Sequence, residues 1–358
     1  MKKKMLIGLL IVLVLILGGV AILWYWVGKP LYEPGMVRAG RNLRSSLDAP
    51  AQSPDADFWT VEPDIKLHHY SVGTGQSILV VHGGPGYPIA KPWGGLAGLT
   101  ERYRFIFFDQ RGCGKSTRPV DRFPPQNYFQ NLTTLEKTLG LGAQIADIER
   151  IRRILGQERL ILFGHSFGAL LASLYAAEFP EKVQALVLVA PASVLVMPAE
   201  DGGLFEVIGN RLPEEKKRQY DDFLKAYLDF GGIFAKSEAE LAKMNREIAE
   251  YYVAALGNQG TAMPRADELE GNGGWMVQAI YFSMGRRHDY RAALKSVNAP
   301  VLVIHGERDL QPEKASRIYA EAFPNSRFHL IRNAGHFCFD DQPQLFASAV
   351  SKFLAGIP

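Results

Sequence analysis

Short apolar runs at 77–81, 105–108, 160–163, 185–189, 301–304 and 327–331, each bounded by turn residues and rich in Val, Ile, Leu and Phe, constrain this chain more than any other feature. Runs of that length and composition read as buried strands. Helix-length stretches separate several of them, at 141–155 and 169–178. Strands alternating with helices predict an α/β fold, with a mostly parallel central sheet covered by helices on both faces. The alternation stops between 193 and 299, where 214–230 and 237–256 carry helical spacing and many charges. The pattern predicts a core formed by 55–192 and 300–358, with a helical cap inserted over 193–299. A layer above the strand ends lies where α/β proteins place their ligands, so the cap is expected to set specificity.

The chain has 358 residues, 47% hydrophobic and 22% charged, which suits one large domain with an insertion or two domains. A formal net charge of +3, with no basic run interleaved with aromatics, speaks against nucleic acid as a partner. Two cysteines, Cys113 and Cys338, are too few for a disulfide scaffold.

Residues 5–27 carry no charge. As a helix they would extend roughly 34 Å, enough to cross a hydrocarbon layer of roughly 30 Å. Lys2, Lys3 and Lys4 precede the stretch, and Trp24, Tyr25 and Trp26 close it, as interfacial anchors do. The expectation is a cytoplasmic tail and transmembrane anchor helix over 1–27, in a single-pass protein held in the lipid bilayer with its catalytic body outside the cytoplasm. The rival reading is a signal peptide cut near Gly19-Val20-Ala21. Residues 28–54, rich in Pro, Gly, Ser and Arg, read as a linker.

Gly164-His165-Ser166-Phe167-Gly168 matches G-x-S-x-G between a strand-like run and a helix-forming one. That strand–turn–helix setting lets a sharp turn expose the serine hydroxyl, with a helix N-terminus behind it favouring developing negative charge. The hydroxyl needs a base, and the base a carboxylate that fixes its tautomer. In such sheets the order is Ser, acid, His. Asp309 follows the run 301–304, and His336 follows 327–331 within Asn333-Ala334-Gly335-His336-Phe337. Glu307, Asp340 and Asp341 are alternative acids.

His82-Gly83-Gly84-Pro85-Gly86 follows the run 77–81, where a second backbone N–H for an oxyanion hole is drawn. The expected donors are the amides of Gly84 and Phe167, with Gly83 the fallback for the first. Asp109-Gln110-Arg111-Gly112-Cys113-Gly114-Lys115-Ser116 ends in Gly-Lys-Ser, but position 109 lacks the first glycine of a phosphate-binding loop. Adjacent His68 and His69 do not have metal-ligand spacing on a helix, and no metal is expected.

Taken together, the motifs at 82–86, 109–116 and 164–168, with Gly306-Glu307-Arg308-Asp309 and Gly335-His336, resemble the proline iminopeptidase family of α/β-hydrolases. These are serine aminopeptidases that remove N-terminal residues, often proline. The resemblance spans about residues 60–355. It implies the α/β-hydrolase fold with an inserted cap, Ser166, Asp309 and His336 as catalytic triad, and the Gly84 and Phe167 amides as oxyanion donors. The family's elbow commonly reads Gly-Gly-Ser-Trp-Gly, whereas His165 and Phe167 flank the serine here. Its peptidases hold the substrate's α-amine with acidic cap residues, one typically following a tryptophan. Here Met276 follows Trp275, with Asp267, Glu268 and Glu270 nearby.

The expected activity is cofactor-free hydrolysis of a small peptide, amide or ester through an acyl-enzyme, with an aminopeptidase leading. A carboxylesterase, lipase or lactonase is the alternative. A catalytically silent binding protein is the third reading, and it predicts a missing member of the trio, whereas all three are present.

Overall fold

The computed structural model describes residues 28–54, 57–125, 127–200, 202–257, 259–263 and 269–357. Its main sheet runs β1 (Phe58–Glu62), β2 (Ile65–Val72), β4 (Tyr103–Phe108), β3 (Gln76–Val81), β5 (Leu160–His165), β6 (Val183–Val189), β9 (Val301–Gly306) and β10 (Ser326–Ile331) in spatial order. β2 is antiparallel to both β1 and β4, whereas from β4 to β10 the pairings are parallel. Successive strand residues point to opposite faces. Leu79, Val81, Ile106, Phe108 and Leu162 thus pack into one buried cluster, and Ile78, Val80, Phe105, Phe107, Ile161 and Phe163 into the other. Burial on both faces is why these segments read as unbroken apolar runs, and truncating one, as in Leu162→Ala, costs about 2–5 kcal/mol.

The parallel strands all end on one side, which gathers the loops that matter. Val81 pairs with Gly164 and His165 with Val189, so the ends of β3, β5 and β6 are level. The loops after β9 and β10 touch: a Cβ on Gly306 would lie 2.1 Å from the Gly335 carbonyl oxygen, an approach that only glycine permits.

Between β6 and β9 come β7 (Val196–Met197) and β8 (His288–Asp289), a two-residue antiparallel pair, and the helices Gly203–Arg211, Glu214–Tyr227, Glu238–Leu256 and Trp275–Met284. Ser237 and Glu240 form a reciprocal capping box at the start of Glu238–Leu256.

Two expectations need correction. The membrane helix fell on residues 1–27, outside the described residues. Among the described residues no helix is long and apolar enough to cross a membrane. The longest, Glu238–Leu256, carries Glu240, Lys243, Arg246, Glu247 and Glu250, charges that hydrocarbon would reject. The described residues therefore have the α/β-hydrolase architecture with no helix among them able to span a membrane, and the single-pass, extracytoplasmic localisation and the bilayer as partner are withdrawn.

The segment 28–54, read as a linker, is a strap over part of its length. The Glu178 carboxylate accepts from Tyr32 Oη at 2.9 Å and from the amides of Gly35, Val37 and Arg38, and Tyr32 and Val37 are buried in the core.

Candidate active site

Ser166 sits between β5 and the helix Phe167–Glu178 with φ 54° and ψ −120°, a region a non-glycine residue enters only when its surroundings impose it. The surroundings do so. Its amide donates to Val189 O at 2.9 Å, and its carbonyl accepts from Ala169 and Ala192 at 3.0 and 3.1 Å. The helix behind it directs its N-terminal partial positive charge at the turn.

His336 Nδ1 lies 2.8 Å from Asp309 Oδ2, and Asp309 Oδ1 accepts from the Gln311 amide at 2.9 Å. A carboxylate on Nδ1 fixes the proton there and leaves Nε2 with the lone pair. The alternative acids are engaged elsewhere. Glu307 accepts from the Asn333 amide, Asp340 from the Gly94 amide, and Asp341 from the amides of Ala262 and Gly335.

Ser166, His336, Gly83 and Gly84 line one cavity. The structure thus brings the serine and the histidine–aspartate pair to one place, although Ser166 Oγ and the His336 ring share it without a direct hydrogen bond. Such bonds commonly close only when substrate is bound. Gly84 has φ 114°, and Phe167 is the first residue of the helix after Ser166. Among the described residues, the amide of neither donates to a protein acceptor.

The two glycine-rich motifs hold each other. His82 Nε2 accepts from the Gln110 amide at 3.0 Å, and Gln110 Nε2 donates to His82 O at 2.8 Å. Arg111 is fully buried and forks onto Asp147 and Glu62 at 2.5 and 2.9 Å, so the stretch 109–116 is a structural clasp. Burial pushes the Cys113 thiol well up, away from the thiolate a nucleophile needs.

Sequence reasoning missed His165. Its ring is buried beside Trp93, Phe337 and Phe339, and its Nε2 lies 3.0 Å from the backbone oxygen of His336. Burial, with the neighbouring His336 ring, holds its pKa well below the usual histidine value, so it stays neutral. It also missed the cavity wall. Leu204 and Ile208, one turn apart, and Ile248, Ala249 and Tyr252 present two helix faces to the cavity. The helical spacing was readable, but which face met the serine was not. Asp267 and Glu268, singled out near the cap, lie outside the described residues.

Residues 76–343 match the model of the alpha/beta hydrolase fold family, and the chain belongs to that family. It is a serine hydrolase of this type, similar to proline iminopeptidases. The proline iminopeptidase of Heyndrickxia coagulans is 25% identical over 295 residues, covering 80% of this chain and 92% of that one. The pimeloyl-[acyl-carrier protein] methyl ester esterase of Serratia marcescens is 25% identical over 291 residues, covering 81% and 98%. The crystal structure of a proline iminopeptidase-related protein from Thermus thermophilus superposes with a TM-score of 0.56 at 23% identity, covering 84% and 96%.

Proposed function

We propose that this protein hydrolyses carboxylic esters or amides by way of an acyl-enzyme on Ser166. The observation that carries the reading is the 2.8 Å contact of His336 Nδ1 with Asp309 Oδ2, in a ring that shares its cavity with Ser166. His336 Nε2 takes the Ser166 proton as Oγ bonds to the acyl carbon. The bond to the leaving group then breaks, and His336 passes that proton to the departing oxygen or nitrogen. Water repeats the sequence: it attacks the acyl carbon, gives a proton to His336, and Ser166 recovers that proton as the carboxylic acid leaves. The amides of Gly84 and Phe167 stabilise the oxyanion in both halves. Residues 193–299 act as a cap over the core parts 55–192 and 300–358 and form the far wall of the pocket.

Steady-state hydrolysis of p-nitrophenyl butyrate tests this. Ser166→Ala and His336→Ala are each expected to lower kcat by at least about 10³-fold. Retention of activity by Ser166→Ala contradicts the proposal.

A second reading, release of an N-terminal residue from a small peptide, is supported by the names of the curated relatives, among them the Heyndrickxia coagulans enzyme. Turnover of prolyl- and alanyl-p-nitroanilide supports it, and esters cleaved without either anilide remove it.

A further inference from the structure

We infer that the acyl group this enzyme accepts is uncharged, apolar and about six carbons long; the inference rests on Ser166 being the nucleophile. The wall opposite Ser166 comes from the cap, through Leu204 and Ile208 on one helix and Ile248, Ala249 and Tyr252 on another. The core side adds Ile89, Trp93, Phe337 and Phe339. Leu204 and Ile208 are four apart, and Tyr252 lies four from Ile248 and three from Ala249, so each set shares a helix face, and these cap helices turn mainly hydrocarbon into the cavity, with the Tyr252 phenol among it. Their charges point elsewhere: Glu250, between Ala249 and Tyr252 in sequence, is exposed.

An exopeptidase that takes a free N-terminus must pair the substrate's ammonium, because a desolvated charge without a partner is costly. Among the described residues, Asp340 is the carboxylate that reaches this cavity. It comes from the core loop after His336, and its Oδ1 already accepts the Gly94 amide at 2.8 Å. Leu204, Ile208 and Ile248 share the cavity with Ser166 and would solvate an alkyl chain, whereas an α-ammonium gains nothing from them.

Size sets the length. The cavity holds about 140 Å³, close to the roughly 150 Å³ that accommodates benzene, or about six carbons. The chemistry remains that of ester hydrolysis: the acyl carbon bonds to Ser166 Oγ as the alcohol leaves with its proton, and water then releases the acid.

The test compares p-nitrophenyl acetate, butyrate, hexanoate, octanoate and dodecanoate with the p-nitrophenyl ester of norleucine, which is the hexanoyl chain carrying an α-ammonium. The full chain is used, spontaneous hydrolysis is subtracted, and competent serines are counted by titration with a fluorophosphonate. From acetate to hexanoate kcat/KM is expected to rise about fourfold per methylene and to stop rising beyond about six carbons. The norleucyl ester is expected at least about 100-fold below hexanoate. Ala249→Phe, and independently Leu204→Phe on the other cap helix, should lower hexanoate turnover at least about tenfold and move the optimum to shorter chains, with an unchanged serine titre. A full titre with a flat chain-length profile, or a norleucyl ester as good as hexanoate, overturns the inference and leaves the nucleophile assignment standing. A zero titre in the unmutated protein overturns that assignment itself.

Discussion

The ring of His165 and the backbone carbonyl of His336 are 3.0 Å apart, which ties the residue before the candidate nucleophile to the residue that is to deprotonate it. Because burial keeps His165 neutral, one ring nitrogen carries a proton, and an Nε2–H donor matches the carbonyl acceptor. The contact spans the gap between the loops after β5 and β10. It makes the spacing of the serine and the imidazole a property of packing.

Removing that tether should therefore lower activity while leaving the catalytic groups in place. His165→Phe is expected to reduce kcat by about 10–100-fold, the scale of a small misplacement of reacting groups. His165→Gln, which retains an N–H donor, should recover part of the loss. The readout is kcat against KM, with circular dichroism to confirm folding. Equal activity of the phenylalanine variant and the unmutated enzyme contradicts a positioning role.

Gly84 offers a second test. With φ 114°, a Cβ there would lie 2.6 Å from Tyr87 Cδ2 and 2.7 Å from the Gly86 amide nitrogen. Gly84→Ala must move the backbone that carries a proposed oxyanion donor. Loss of one such donor costs about 10²–10³-fold in kcat. A fall of that size in ester turnover, with the serine still reactive toward a fluorophosphonate, is the expected outcome. Unchanged kcat removes Gly84 from the site.

Glu136 predicts a pH dependence of stability. Burial raises its pKa from the usual 4.5 to about 7, against the opposing hydrogen bond from Ser283 Oγ at 2.5 Å. Folding thus favours the protonated acid. Its contribution is fully present below about pH 4.5 and is lost as pH rises toward 7, a change of about 3 kcal/mol at most. The difference in unfolding free energy between Glu136→Gln and the unmutated chain, measured by urea titration, should move in favour of the variant across that window and level off above it. A difference that stays constant across the window contradicts the assignment.

The cysteines should be inert. Cys113 and Cys338 are both fully buried, and burial pushes both thiols well up. Native protein treated with iodoacetamide is expected to gain no adduct by mass spectrometry, and the denatured chain to gain one at each cysteine. Native-state labelling of Cys113 would contradict its buried place in the 109–116 clasp.

Which parts of this molecule were legible in the sequence follows from where its side chains point. β3, β5, β6 and β9 are covered on both faces, and their unbroken runs of Val, Ile, Leu and Phe announced them. β1 is the edge strand and β2 its neighbour, and Ile65–Val72 mixes Lys66, His68 and His69 with its apolar residues, so no run stood out. The candidate trio Ser166, Asp309 and His336 stood out because each follows a strand in a fixed order. His165 was not, because its partner is a backbone carbonyl far away in sequence. The docking of Tyr32, Gly35, Val37 and Arg38, within the segment read as a linker, was not legible because their partner is the Glu178 carboxylate at the end of a distant helix, and composition carries no trace of that contact.

The most direct test of the account is the site of covalent capture. The full chain and its Ser166→Ala variant are incubated with a fluorophosphonate, digested, and sequenced by tandem mass spectrometry. The expected result is a single phosphonyl adduct on Ser166, slowed in His336→Ala and absent from Ser166→Ala. An adduct on another residue, or equal labelling of the Ser166→Ala protein, would contradict it.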